Sequence, residues 1–143
     1  MLVRQATLAD KNEILKITDL LHLDIPNFVW NNEDFVKAQI EKGEYFLASD
    51  HNTTAGIMSL RQGKNRMYIE TLAVKKEYQS NGIGSQFIEF AKNYARERGF
   101  DSLHTYSFCA YNMADFYLKK GFSKISRLGY YSHHPYYCFE IKV

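Results

Sequence analysis

The sequence predicts an α/β (α+β) fold: a mixed, mostly antiparallel sheet of about six or seven strands flanked by about four helices, all in one domain. Three observations lead there. Strand-like runs alternate with segments whose apolar residues recur at helical spacing. The turns between residues 45 and 74 are short enough to demand antiparallel neighbours. At Ile83 the apolar period changes sharply from strand to helix.

Taken in order, Leu2 to Ala6 reads as a short strand. Thr7 followed by Asp10 is a capping-box pattern, hydroxyl and carboxylate satisfying free amides where a helix begins. That helix is expected to run to about Leu21, with Ile14, Ile17, Leu20 and Leu21 as its apolar stripe. His22 to Asn32 contains Pro26 and Asn27 and reads as a loop. A second helix, about Glu33 to Lys42, carries Phe35, Val36 and Ile40 and stops at Gly43. Strands follow at Tyr45 to Ala48, Ala55 to Leu60 and Met67 to Val74, separated by polar turns. Ile83, Phe87, Phe90, Ala91, Tyr94 and Ala95 then share one helical face until Gly99. Leu103 to Phe108 is a strand, Asn112 to Lys120 a short helix ended by Gly121, and about Phe122 to Tyr130 and Tyr136 to Ile141 are two closing strands.

Composition narrows the function classes. The 143 residues are 45% hydrophobic, enough for one sizeable core. A net charge of +2, with lysines and arginines scattered, argues against a nucleic-acid partner and against a membrane-surface patch. No apolar stretch approaches the ~18 residues of a spanning helix, and the N-terminus turns polar at once, so a cytoplasmic protein is expected. Cys109 and Cys138 make neither a disulfide framework nor a metal site, and no activating neighbour marks either as a nucleophile. Aromatics reach 15%, with 11 Tyr and 10 Phe, which serves either a core built with Phe and Tyr or an aromatic-lined pocket.

The segment Met67 to Ser85, MYIETLAVKKEYQSNGIGS, carries the chemistry. A strand enters a polar loop, two glycines follow two apart, and a long amphipathic helix begins. The first helical turn has unpaired amides and the positive end of the dipole, Gly82 and Gly84 admit close approach of a ligand, and Ser85 adds a hydroxyl. Physically this is an anion site; the alternative is a plain Gly-rich turn, with which many helices begin. A P-loop would continue with Gly-Lys-Ser or Gly-Lys-Thr, and a dinucleotide fingerprint would need a third glycine and a parallel unit.

Gln79-Ser80-Asn81-Gly82-Ile83-Gly84 resembles the Q/R-x-x-G-x-G/A signature of the GNAT acetyltransferase superfamily. Leu72-Ala73-Val74 lies where that family has L-x-V, and Phe116-Tyr117-Leu118-Lys119-Lys120-Gly121-Phe122 resembles its F-Y-x-K-x-G-F segment. The resemblance implies that Leu72, Ala73, Val74 and the loop Gln79, Ser80, Asn81, Gly82, Ile83, Gly84 and Ser85 hold the pantetheine arm and pyrophosphate of acetyl-CoA. It further implies direct acetyl transfer, with no covalent enzyme intermediate and no metal.

Tyr117 matches the family tyrosine that protonates the departing thiolate; the alternative is an aromatic that merely packs its helix. Glu70 shares a strand face with Tyr68, Leu72 and Val74 if the strand alternates regularly. Among apolar neighbours its carboxyl is expected to hold its proton to higher pH, as suits a general base, and it resembles a glutamate of the spermidine/spermine acetyltransferases. Against this stands a solvated glutamate paired with Arg61 or Arg66, or a water chain as base. The family often has an asparagine seven residues before the tyrosine, where this chain has Ala110. Asn112, five before it, either contacts the cofactor or caps the helix.

By the same resemblance the acceptor sits between His22 to Asn32 and Leu128 to Tyr137. Asp24, Phe28 and Trp30 on one side, and Tyr130, Tyr131, Tyr136 and Tyr137 on the other, suit an amine through aromatic faces and an acid. The alternative is a solvated loop and a Tyr-rich hairpin, used as a homodimer contact. His133 and His134 resemble a metal pair, but neighbours on a strand point to opposite faces. The expected activity is acetyl transfer from acetyl-CoA to a small-molecule, amino-acid or peptide amine. A non-catalytic CoA sensor of the same fold is the alternative.

Overall fold

The computed structural model describes residues 2–143, with Ser126 described by its backbone alone. Strands β1 (Val3–Gln5), β2 (Tyr45–Asp50), β3 (Thr53–Gln62), β4 (Met67–Val74), β5 (Ser102–Phe108), β6 (Ser123–Tyr131) and β7 (His134–Lys142) follow the hydrogen-bonded order β1-β2-β3-β4-β5-β7-β6. The helices are α1 (Lys11–Thr18), α2 (Glu33–Glu41), α3 (Ile83–Glu97) and α4 (Ala114–Lys119). The sheet is mixed and mostly antiparallel, as the sequence predicts, with β4 and β5 as the parallel pair. The chain divides into two compact units, 1–60 with 71–87, and 61–70 with 88–143.

In the first unit the capping box forms at its carboxylate: Asp10 accepts the Thr7 N–H at 2.8 Å. Arg4 grips the same carboxylate at 2.8 and 2.9 Å, and this bond holds Asp10 below the usual carboxylate range. The expected single helix to Leu21 is shorter. α1 stops at Thr18, whose hydroxyl turns back to the Leu15 carbonyl at 2.8 Å, and a 3-10 turn, Asp19–Leu21, follows. Asn32 caps α2 by accepting the Phe35 N–H at 3.0 Å, and Gly43 (φ 75°) ends it in the left-handed region. β1, β2 and β3 run antiparallel, with Leu47 opposite Ile57. Ile14, Ile17, Val36 and Ile40 of the helices meet Tyr45, Leu47 and Ile57 in one buried cluster. At about 1.5–3 kcal/mol for each such side chain, this burial holds the helices to the strands.

In the second unit β4 pairs parallel with β5 from Met67↔Leu103 to Ile69↔Thr105. β7 lies between β5 and β6, antiparallel to both. The β6–β7 hairpin closes on Ser132 and His133, both left-handed (φ 45° and 68°), the backbone of a two-residue turn that matches strand twist. His133 is therefore a turn residue, and the expectation that both histidines lie on a strand is corrected. α4 starts at Ala114, two residues later than expected, because Asn112 is left-handed (φ 55°) and cannot begin a helix.

Candidate active site

β4 is buried on alternate residues: Met67, Ile69, Thr71 and Ala73 are buried, whereas Tyr68, Glu70, Leu72 and Val74 are half-buried. Its end is pinned in the first unit by the Lys75 N–H, which donates to the Ala55 carbonyl at 2.8 Å. A side chain at Gly56 would meet Phe87 at 3.0 Å and the Ala73 carbonyl at 3.1 Å, so the glycine lets β3, β4 and the first turns of α3 close together.

Between β4 and α3 the chain makes a 3-10 turn, Lys76–Tyr78, and reaches the exposed residues Gln79, Ser80, Asn81 and Gly82. Gln79 folds back, its Nε2 donating to the Val74 carbonyl at 3.1 Å. This side chain ties the loop to the strand. Gly82 is left-handed (φ 79°), and a side chain there would meet no protein atom within 4 Å. Gln86 donates to the Gly82 carbonyl at 3.1 Å, so the amides of Ile83, Gly84 and Ser85 precede the helical ladder and have no acceptor within it. Ile83 itself is buried and anchors the turn. Open space at Gly82 beside the positive end of a 15-residue helix fits a diphosphate.

The second unit holds Tyr117, Glu70 and Asn112. Tyr117 is 3% exposed, stacked on Phe139 with ring centroids 5.1 Å apart and met edge-on by Phe122 at 5.3 Å. Burial pushes its phenol up to about 12, with the neighbouring Thr105 side chain opposing the shift in part. The Thr105 hydroxyl donates to the Ile69 carbonyl at 3.0 Å. Ile69 and Thr105 are strand partners and share a face. Glu70, one residue on, projects from β4 on the side opposite to Ile69.

The expectation of an apolar setting for Glu70 is corrected. Arg61 reaches it across the β3–β4 hairpin, Nε donating to Oε2 at 3.0 Å, and the guanidinium also lies over the Tyr68 ring at 4.3 Å. The sequence alone leaves Arg61 and Arg66 both open as partners, because the answer depends on hairpin register. His104, opposite Tyr68 in the β4–β5 ladder, was missed. It is 4% exposed, its Nε2 lies 2.9 Å from the Ser102 hydroxyl, and its Nδ1 lies 3.7 Å from Glu140. Burial holds its imidazole below the ordinary histidine range, with Arg66 adding to the effect.

Asn112 does not cap α4, whose N-cap position is Met113. It closes the preceding 3-10 turn, its N–H donating to the Cys109 carbonyl at 3.1 Å. Of the expected acceptor residues, Phe28 lies edge-on between His22 and Trp30 (5.2 and 5.0 Å) while Asp24 is exposed. Tyr131 and Tyr136 pack on Phe108, each at 6.2 Å, Tyr130 is 66% exposed, and Lys124 lies over Tyr137 at 4.6 Å. Among the described residues no group of three or more His, Cys, Asp or Glu is placed to hold a metal ion. No helix is long and apolar enough to cross a membrane.

Comparison with known proteins bears on this arrangement. No curated protein sequence matches the chain significantly. Solved structures do. Ard1 from Thermoplasma volcanium is 16% identical with a TM-score of 0.84, covering 99% of this chain and 97% of its own. PaiA N-acetyltransferase from Thermoplasma acidophilum, solved with coenzyme A, is 17% identical with a TM-score of 0.83, covering 99% and 98%. An aminoglycoside 6'-N-acetyltransferase complexed with coenzyme A is 12% identical with a TM-score of 0.78, covering 99% and 97%. These likenesses show the fold. The sequence profile of the Acetyltransferase (GNAT) family matches residues 15–122, most of the chain. The chain belongs to the acetyltransferase (GNAT) family and is an acyltransferase.

Proposed function

We propose that the chain moves an acetyl group from acetyl-CoA directly to the amine of a small molecule, an amino acid or a peptide. The observation that carries this reading is the start of α3, where Gly82 is open and the following amides precede the helical ladder. The coenzyme A bound in two relatives of this fold supports it.

Acetyl-CoA would supply an acetyl group activated as a thioester. The amides of Ile83, Gly84 and Ser85 would face its pyrophosphate, with Ser80, Asn81 and the Ser85 hydroxyl alongside. Gln79 acts one step back, holding the loop on Val74. The backbone of Leu72, Ala73 and Val74 would lie along the pantetheine arm, and Asn112 would contact the cofactor from its left-handed turn. Glu70 would take the proton of the acceptor ammonium. Tyr117 keeps its proton far above neutrality and would pass it to the departing thiolate.

The test is CoA release, followed with a thiol reagent across a panel of amines. Release that rises with at least one amine, together with the acetylated product by mass, supports the reading. Tight acetyl-CoA binding with no amine raising release above background overturns it.

A further inference from the structure

Arg61, Glu70 and Tyr68 form a unit in which the guanidinium has more capacity than it uses. The Arg61 guanidinium spends its Nε–H on Glu70 at 3.0 Å and lies over Tyr68 at 4.3 Å. Tyr68 is itself backed by Tyr106, stacked with centroids 5.6 Å apart. Carboxylate and ring together fix the plane of the guanidinium before any ligand arrives. Its two Nη groups meet no hydrogen-bond acceptor among the described residues, and the side chain is 41% exposed, against 17% for Glu70. A guanidinium held flat with its fork open to solvent is preorganised for a planar anion.

Charge points the same way. Arg61 neutralises Glu70, so the pair exerts little net pull on a plain ammonium ion. A molecule that carries a carboxylate close to its amine is complementary to both ends of the pair. Its anion pairs with the Nη groups while its ammonium faces Glu70.

We propose that Arg61 is a specificity-determining residue that binds a carboxylate of the acceptor, so that the acetylated amine belongs to an acid-bearing molecule. This inference rests on acetyl transfer with Glu70 at the acceptor amine. The carboxylate can be the α-carboxylate of a free amino acid or an acidic side chain beside a peptide N-terminus. The test keeps these sources apart.

The experiment uses the full chain at saturating acetyl-CoA and measures kcat/KM for paired acceptors. One set is free amino acids against their α-amides, and the other is Ser-Glu-amide against Ser-Gln-amide. The wild-type chain is expected to prefer the acid by about tenfold or more in one of the two sets, as a charge-assisted hydrogen bond provides. Arg61→Gln is expected to collapse that ratio to near one, and Arg61→Lys to keep part of it. Because the readout is the acid-to-amide ratio, a merely structural loss, which lowers both rates together, leaves it unmoved. Equal use of acid and amide by the wild type, or a preference that survives Arg61→Gln, overturns this inference and leaves acetyl transfer standing. Failure of every acceptor to raise CoA release overturns both.

Discussion

Thr105, beside the phenol of Tyr117, donates its hydroxyl proton to the carbonyl of Ile69 at 3.0 Å. Both residues are buried, Tyr117 at 3% and Thr105 at 1% exposure. A proton held there stays on the ring across the working pH range, because desolvation pushes the phenol up to about 12. That burial sets what a tyrosine acid can and cannot show in kinetics.

Tyr117→Phe removes the proton and leaves the Thr105–Ile69 bond in place. Turnover is expected to fall about 100-fold or more, as for loss of a general acid, while the KM for acetyl-CoA changes little. Stability should change by only about 1 kcal/mol, since the ring keeps its packing on Phe122 and Phe139. No basic limb assignable to Tyr117 should appear below about pH 11 in the wild-type rate profile. Steady-state kinetics with denaturant unfolding checks all three.

Glu70→Gln is expected to flatten the acidic limb of the pH–rate profile, because the variant has no carboxylate to protonate. The measurement is kcat/KM for an amine acceptor from acid to neutral pH. An acidic limb that persists unchanged in the variant excludes Glu70 as the base.

His104 makes the stability of the fold depend on pH. Its folded pKa lies below the ordinary value of 6.5, chiefly through burial, so the neutral imidazole is the form the fold prefers. The stability this contributes is complete above the unfolded pKa and is lost as pH falls through the depressed folded value. Glu140 and Asp101 oppose the shift in part, while Arg66 reinforces it. Unfolding free energy is expected to fall between pH 7 and 5, and His104→Gln to fall less over the same interval. Parallel declines in the two proteins would remove His104 from the account.

Gln79→Leu tests the tie between loop and strand. Loss of the 3.1 Å bond to the Val74 carbonyl is expected to cost about 0.5–1.5 kcal/mol. It should also weaken acetyl-CoA binding several-fold, because the loop is no longer held on the strand. Calorimetry and thermal unfolding read the two effects separately.

Local signals were the legible part of this fold. Thr7 with Asp10 marked a helix start, Met67 to Val74 had the bounds of β4, and the glycine pair at 82 and 84 marked the start of α3. Each depends on residues within a few positions of one another. The rest depends on pairing between distant segments. The insertion of β7 between β5 and β6 is fixed by partners such as Thr105 and Phe139, which no local pattern records. The same holds for the site. Glu70 read along its own strand has apolar neighbours, yet a residue nine positions earlier, across a hairpin, supplies its partner. Thr105 carried no signal, because a threonine in a strand is ordinary until its register sets it against Ile69. Asn112 failed as a cap for a backbone reason, its left-handed φ, which the preceding 3-10 turn imposes.

In the proposed reaction the loop from Gln79 to Ser85 holds the pyrophosphate of acetyl-CoA. Gly82 is the place to test it, because a side chain there meets no protein atom within 4 Å and its φ of 79° is one that asparagine tolerates. The measurement is calorimetric titration of acetyl-CoA into the wild-type chain and Gly82→Asn, with unfolding recorded for both. A stability loss of no more than about 1 kcal/mol is expected, with at least about tenfold weaker binding in the variant, whose side chain occupies the space of the phosphates. Equal affinity in the two proteins would contradict it.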